Sequence, residues 1–132
     1  MRVLIDTDVL FSAVLFPNSR PAKAVLLAHQ RCDVVLCDQN IAELREIIRR
    51  KAPHRLSDAE FFLAGISYEL VPAVKYAEKL IRDAKDQPIL NAAIVFGVDV
   101  ILTGDKDFLS MNIEYPRCMT VSEFLDTEMA DE

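Results

Sequence analysis

With 132 residues, 52% of them hydrophobic and 27% charged, the chain is long enough to bury a real core and too short for two ordinary domains. Only three glycines and no low-complexity tract exclude a linker-rich or disordered chain, apart from an acidic tail at 126–132, and no apolar run approaches the roughly 20 residues of a membrane span. A net charge of −6 is wrong for a generic nucleic-acid binder, but it neither demands nor forbids a polyanionic substrate, because a cation at an acidic site would offset part of it.

Arg2–Ile5, apolar from Val3 onward, is a run of the kind that forms a strand buried on both faces. It starts at once, with no long apolar leader, so no signal peptide and a cytoplasmic location are expected. Asp8 is placed to cap a short helix over 9–15, which stops at Phe16-Pro17-Asn18. Ser19 caps a second helix, with Pro21 in its first turn and Ala24, Val25, Leu27 and Ala28 as apolar positions. A strand follows at 33–36, and Asp38 caps a helix from about 40 to 51 whose Ile41, Leu44, Ile47 and Ile48 recur at helical spacing. Pro53 ends it.

Ser57 and Glu60 have the spacing of a capping box and open a helix through Phe61, Phe62 and Ala64 to Gly65. A short strand at 69–71 and a helix over 74–83 come next, then a helix from about Pro88 that Gly97 terminates. Residues 99–102 make a strand nearly as apolar as the first. Phe108 and Leu109 lie on a short helix that Asp107 can cap, and 122–128 form the last helix. Strands alternating with helices predict an α/β domain over 1–125, with a central parallel sheet of four or five strands and helices on both faces. Neither 2–5 nor 99–102 alternates polar with apolar residues, so both belong inside the sheet as close neighbours.

Cys32, Cys37 and Cys118 are an odd count without metal-finger spacing, and they read as reduced thiols. His29 and His54 stand near no cysteine pair and read as surface residues. The acids are more informative. Asp6, Glu43, Asp86 and Asp105 each stand where a strand ends or a helix begins, the edge at which open parallel sheets bind ligands. Singly, Asp86 could be a helix cap and Glu43 a surface charge favoured by the helix dipole. Carboxylates drawn together from distant parts of a chain need a cation, and an all-oxygen set suits Mg²⁺ or Mn²⁺. Arg45, Arg49, Arg50, Lys51 and Arg55, with Arg20 and Lys23 earlier, form either a solvated face or a phosphate-binding one.

Four segments together resemble the PIN-domain family of metal-dependent ribonucleases, above all its small single-domain prokaryotic members, the VapC-like toxins: DTDVLFSAVLFPNS from Asp6, AELREII from Ala42, DAKDQPILNAA from Asp83 and TGDKDFL from Thr103. The resemblance covers nearly the whole chain, and its strength lies in the order of all four. It implies a PIN-like three-layer sandwich and an Mg²⁺- or Mn²⁺-dependent endoribonuclease acting on single-stranded RNA. Asp6, Glu43, Asp86 and Asp105 carry over as the catalytic, metal-binding acids, with Thr7 and Thr103 orienting them. The family usually opens Asp-Thr-Asn, so Asp8 is a departure that adds a carboxylate. Many relatives have the acid directly before the proline, where this chain has Gln87, which leaves the third ligand between Asp86 and Asp83. Asp107 is a further supporting residue. Arg45, Arg49 and Arg50 are expected to hold the RNA backbone.

Relatives are commonly homodimers, and free-standing ones are often toxins held by a cognate antitoxin protein. Apolar residues at 61–70 and near Leu15 and Phe16 suit either contact. Two other readings stay open: a non-catalytic PIN module that binds RNA or protein, and a haloacid-dehalogenase-type phosphatase, which also begins Asp-x-Asp after a buried strand. The latter places Thr or Val two residues beyond the second Asp, where this chain has Leu10.

Overall fold

The computed structural model describes residues 1–75, 81, 84–111 and 113–129. Five strands, β1 (Arg2–Ile5), β2 (Asp33–Cys37), β3 (Glu69–Val71), β4 (Val100–Leu102) and β5 (Arg117–Met119), form one parallel sheet in the order β3-β2-β1-β4-β5. The helices are α1 (Thr7–Leu15), α2 (Arg20–Arg31), α3 (Asp38–Lys51), α4 (Leu56–Gly65), α5 (Gln87–Val95), α6 (Lys106–Leu109) and α7 (Val121–Met129), with a 3-10 turn at Pro53–Arg55 leading into α4. The expected neighbours are neighbours: Val3 and Ile5 of β1 pair with Val100 and Leu102 of β4.

Strand side chains alternate between two cores, which makes the sandwich three-layered. Val3, Ile5, Val34, Leu36, Val100 and Leu102 pack with α1, α2, α3, α4 and α7 on one face. Leu4, Val35, Cys37, Val71 and Ile101 pack with Ile89, Leu90 and Ala93 of α5 and Phe108 of α6 on the other. Because both faces are covered, β1 and β4 read as continuous apolar runs. Connections pass outward from β1 in both directions, so a crevice opens beyond the C-terminal ends of β1 and β4.

Several helix starts differ from expectation. Asp6, not Asp8, is the N-cap of α1 and accepts from the Thr7 N–H, because Asp6 alone connects the strand to the helix. Asp38 is the first residue of α3, and its carboxylate accepts from the Ala73 N–H instead. Ser57 lies inside α4, since the 3-10 turn runs straight into that helix and leaves no place for a capping box. Asp105, not Asp107, caps α6. Ser19 caps α2 as expected, accepting from the Ala22 N–H, and Gly97 follows α5 at φ +67.

Strand β5 was not anticipated: it is an edge strand with an exposed Arg117, a half-buried Cys118 and a buried Met119, too short and mixed to show a pattern. Of the expected helix over 74–83, Val74 and Lys75 lie in no regular element, Ile81 is a bend, and the rest fall outside the described residues. Helix α7 continues to Met129, into the acidic C-terminal stretch. Among the described residues no helix is long and apolar enough to cross a membrane.

Candidate functional site

The crevice beyond β1 and β4 is built around Asp6. Its backbone N–H continues the ladder to the Leu102 carbonyl, which holds the residue at the sheet edge, and its side chain is 6% exposed. One carboxylate oxygen accepts from the Thr7 N–H (2.9 Å) and Asn40 Nδ2 (3.1 Å), and the other from the Thr103 hydroxyl (2.7 Å). Burial, with Asp8 adding repulsion, pushes the Asp6 carboxyl up to about 7 against the pull of the Thr103 hydrogen bond. Burial raises Asp8 as well. The Asp8 carboxylate accepts from the Gly104 N–H at 2.9 Å, and a Cβ at position 104 would meet it at 2.6 Å, so any side chain there displaces it.

Glu43 joins this centre from α3. One of its oxygens accepts from the Thr7 hydroxyl (2.9 Å) and the other from Gln39 Nε2 (3.0 Å), which also donates to the Lys85 carbonyl (2.7 Å). Thr7 in turn accepts from Asn40 Nδ2 at 2.9 Å. The chain Asn40–Thr7–Glu43 therefore has a fixed donor direction, and Asn40 ties Glu43 to Asp6. The Asn40 Oδ1 is buried without a hydrogen-bond partner among the described residues. Flipping the amide would aim that oxygen at the Asp6 carboxylate, so the orientation is forced.

Asp86, at the N-terminus of α5, and Asp105 and Asp107, at the start of α6, each offer a carboxylate oxygen within 4.8 Å of the others. Asp105 also accepts from the Asp107 N–H at 2.9 Å. Asp6, Asp8, Glu43, Asp86 and Asp105 line one cleft of about 430 Å³, with Phe11, Ser12, Ile47 and Lys51 on its walls. A second hollow of about 600 Å³ shares Glu43, Ile47, Asp86 and Asp105 and continues to Gln39, Ala42, Glu46, Arg50 and Lys85.

The expected acids Asp6, Glu43, Asp86 and Asp105 thus line one cleft, with Thr7, Asp8 and Thr103 beside Asp6. The tight carboxylate group among the described residues is Asp86, Asp105 and Asp107, of which Asp6 and Glu43 are not members, and Asp83 lies outside the described residues. Of the expected RNA-contacting arginines, only Arg50 lines the crevice. Arg45 is held by both oxygens of Glu60 (2.6 and 3.1 Å), and Arg49 by Glu46 at 3.5 Å. Lys51, one of the basic residues considered for phosphate contact, also lines the cleft, whereas Asn40, Gln39 and Gly104 are site residues that the sequence does not single out. Asn40 did leave a signal: it sits four and eight residues before Leu44 and Ile48 on the buried stripe of α3, where a polar side chain needs a reason.

The donors are all oxygens, and crowding of several carboxylates around a desolvated Asp6 is the arrangement that a hard divalent cation relieves. No cysteine lines either hollow of the crevice. Burial pushes the Cys37 and Cys118 thiols up to about 11, so both are protonated at neutral pH. Neither His29 nor His54 lines the crevice, and His29 accepts from the Ser67 N–H.

A family model for the PIN domain matches residues 2–107. Among solved structures, the chain is similar to VapBC2 from Rickettsia felis, determined bound to a DNA fragment from their promoter, with a TM-score of 0.68 at 15% identity over 91% of this chain and 98% of that one. It is also similar to Mycobacterium tuberculosis VapC20, described as a sarcin–ricin-loop-cleaving toxin, with a TM-score of 0.58 at 12% identity over 80% of this chain and 91% of that one. At such identities the likeness is one of fold. No curated protein sequence matches the chain.

Proposed function

The chain belongs to the PIN-domain family, and from that premise we propose that it is an Mg²⁺- or Mn²⁺-dependent endoribonuclease that hydrolyses single-stranded RNA. The observation that carries this reading is the gathering of Asp6, Asp8, Glu43, Asp86 and Asp105 in one cleft at the point where the sheet order reverses. Asp6, Asp86 and Asp105 would hold the cation, with Glu43 in direct or water-mediated reach and Asp107 beside Asp86 and Asp105. When bound, the cation would polarise the scissile phosphate and lower the pKa of a water.

The chain's own groups do the positioning. Thr103 and Asn40 donate to Asp6 and leave its charge pointing into the crevice, while Thr7 and Gln39 fix both oxygens of Glu43. Gly104 clears space for Asp8. Because Asp6 titrates near neutrality in the free protein, cation binding must displace a proton from it, and affinity should rise with pH.

The VapBC and VapC resemblances support a toxin of a toxin–antitoxin pair, held by a protein antitoxin. We further propose a single PIN domain over 1–125 that is cytoplasmic and works as a homodimer. Exposed Phe16, Leu26 and Phe61 are available for such contacts, the latter two on a groove of about 450 Å³ between α1, α2 and α4. The test is cleavage of single-stranded RNA by protein freed of any partner. Turnover should require Mg²⁺ or Mn²⁺, stop with EDTA, and vanish in Asp6→Asn. Binding of RNA without cleavage in the presence of either ion would point to the non-catalytic module instead.

A further inference from the structure

The basic residues of α3 do not form one patch. Arg45 and Arg49 are paired to Glu60 and Glu46. Arg50 and Lys51 are successive residues, about 100° apart around the helix, and they serve different hollows. Lys51 stands with Asp6, Asp8 and Phe11, and Arg50 with Gln39, Glu46 and Lys85. The two hollows meet at Glu43, Ile47, Asp86 and Asp105, so the carboxylate centre lies between the two cations. The Lys51 ammonium lies over the Phe11 ring, 5.9 Å from its centroid, an attraction that restricts where this long side chain carries its charge. Neither Arg50 nor Lys51 makes an ion pair among the described residues.

A phosphodiester strand entering a cleft rich in carboxylates is repelled except where cations meet it, and here they meet it on two sides. Resting on the reading of this site as a ribonuclease, we propose that the substrate strand lies across the carboxylates between two separate arms, one phosphate held by Lys51 on its Phe11 platform and another by Arg50 beyond Ile47. Both contacts are to phosphate, so they set the register of the strand without reading its bases. The half-exposed Ile47 between them is an apolar surface against which the intervening nucleotide can rest.

The test is the salt dependence of kcat/KM for a short fluorescein-labelled single-stranded RNA with Mn²⁺, in wild type, Lys51→Ala, Arg50→Ala and the double variant. Arg117→Ala, at the opposite end of the sheet, is the control. Each single change should raise KM and flatten the log–log salt slope by about 0.7, and the double change by about 1.4, because each phosphate contact on a single strand contributes that much. Lys51→Arg should restore the slope. A slope for Lys51→Ala equal to that of Arg117→Ala, or a double variant no flatter than either single one, overturns the two-arm arrangement. If wild type binds the RNA without cutting it, the ribonuclease reading fails alone, and the same slopes measured by anisotropy judge the arms. If it neither binds nor cuts, both fail.

Discussion

Asp6 shows how one residue can serve fold and chemistry at once. Its carboxyl is raised from 3.8 to about 7, chiefly by burial, so between those values the folded protein binds more protons than the unfolded chain. That stabilising contribution is fully present below 3.8 and is lost as pH rises through about 7. Melting in EDTA should therefore fall between pH near 5 and pH near 8, and Asp6→Asn should flatten that slope. If both proteins melt with the same pH dependence, the carboxyl is not held protonated. Asn40 acts on this residue through two donated hydrogen bonds, one to Asp6 and one to Thr7. Asn40→Ala should weaken Mn²⁺ affinity by roughly 10- to 100-fold, the usual cost of losing a group that orients ligands. Isothermal titration would measure it, and unchanged affinity would remove Asn40 from the site.

Elements start where the site is. Asp6 caps α1 and Asp105 caps α6, so two acids expected as ligands also satisfy helix N–H groups that would otherwise lack partners. This double duty explains why the capping assignments at Asp8 and Asp107 each fell two residues late. In both places the helix begins directly after the first acid of the pair, at Thr7 and at Lys106, and an Asp-x-Asp sequence does not say which acid does the capping. It also separates stability from activity. Asp105→Ala should cost about 1 kcal/mol of stability through the lost cap, while Asp105→Asn keeps an equivalent cap and stays near wild type. Both should abolish RNA cleavage. Denaturant midpoints that fall equally in the two variants would mean that the cap at α6 is not what Asp105 contributes.

At the scale of the whole molecule, carboxylates from β1, α3, the start of α5 and the β4–α6 turn meet only when the domain is folded. A cation that bridges them binds the folded state and not the unfolded one. Mn²⁺ at about 100 times its dissociation constant should then stabilise the protein by about 2.7 kcal/mol. Thermal melting in EDTA and in Mn²⁺ reads this directly, and an unchanged midpoint would count against a cation site. The exposed Phe16, Leu26 and Phe61 belong to the same scale, and light scattering of the isolated chain should report a dimer.

How much was legible in the chain follows from how local each signal was. Strands β1 and β4 announced themselves because burial on both faces demands unbroken apolar residues. The helices did so because one buried face imposes a 3.6-residue period. The acids at strand ends pointed to the sheet edge for the same reason. Strand β5 left no mark, since three residues at an edge need no pattern of their own once β4 supplies the hydrogen-bond ladder. Asn40 was hidden as a site residue because its role depends on Asp6 and Thr7, more than thirty positions away. The arginines of α3 are alike in sequence, and only the packing of α4 and the position of Glu46 set Arg45 and Arg49 apart from Arg50. Periodicity and residue chemistry are properties of the chain and determined the layers and the acidic edge. Which donor meets which carboxylate, and which cation faces the crevice, depends on distances between remote segments, and only the tertiary structure decides those.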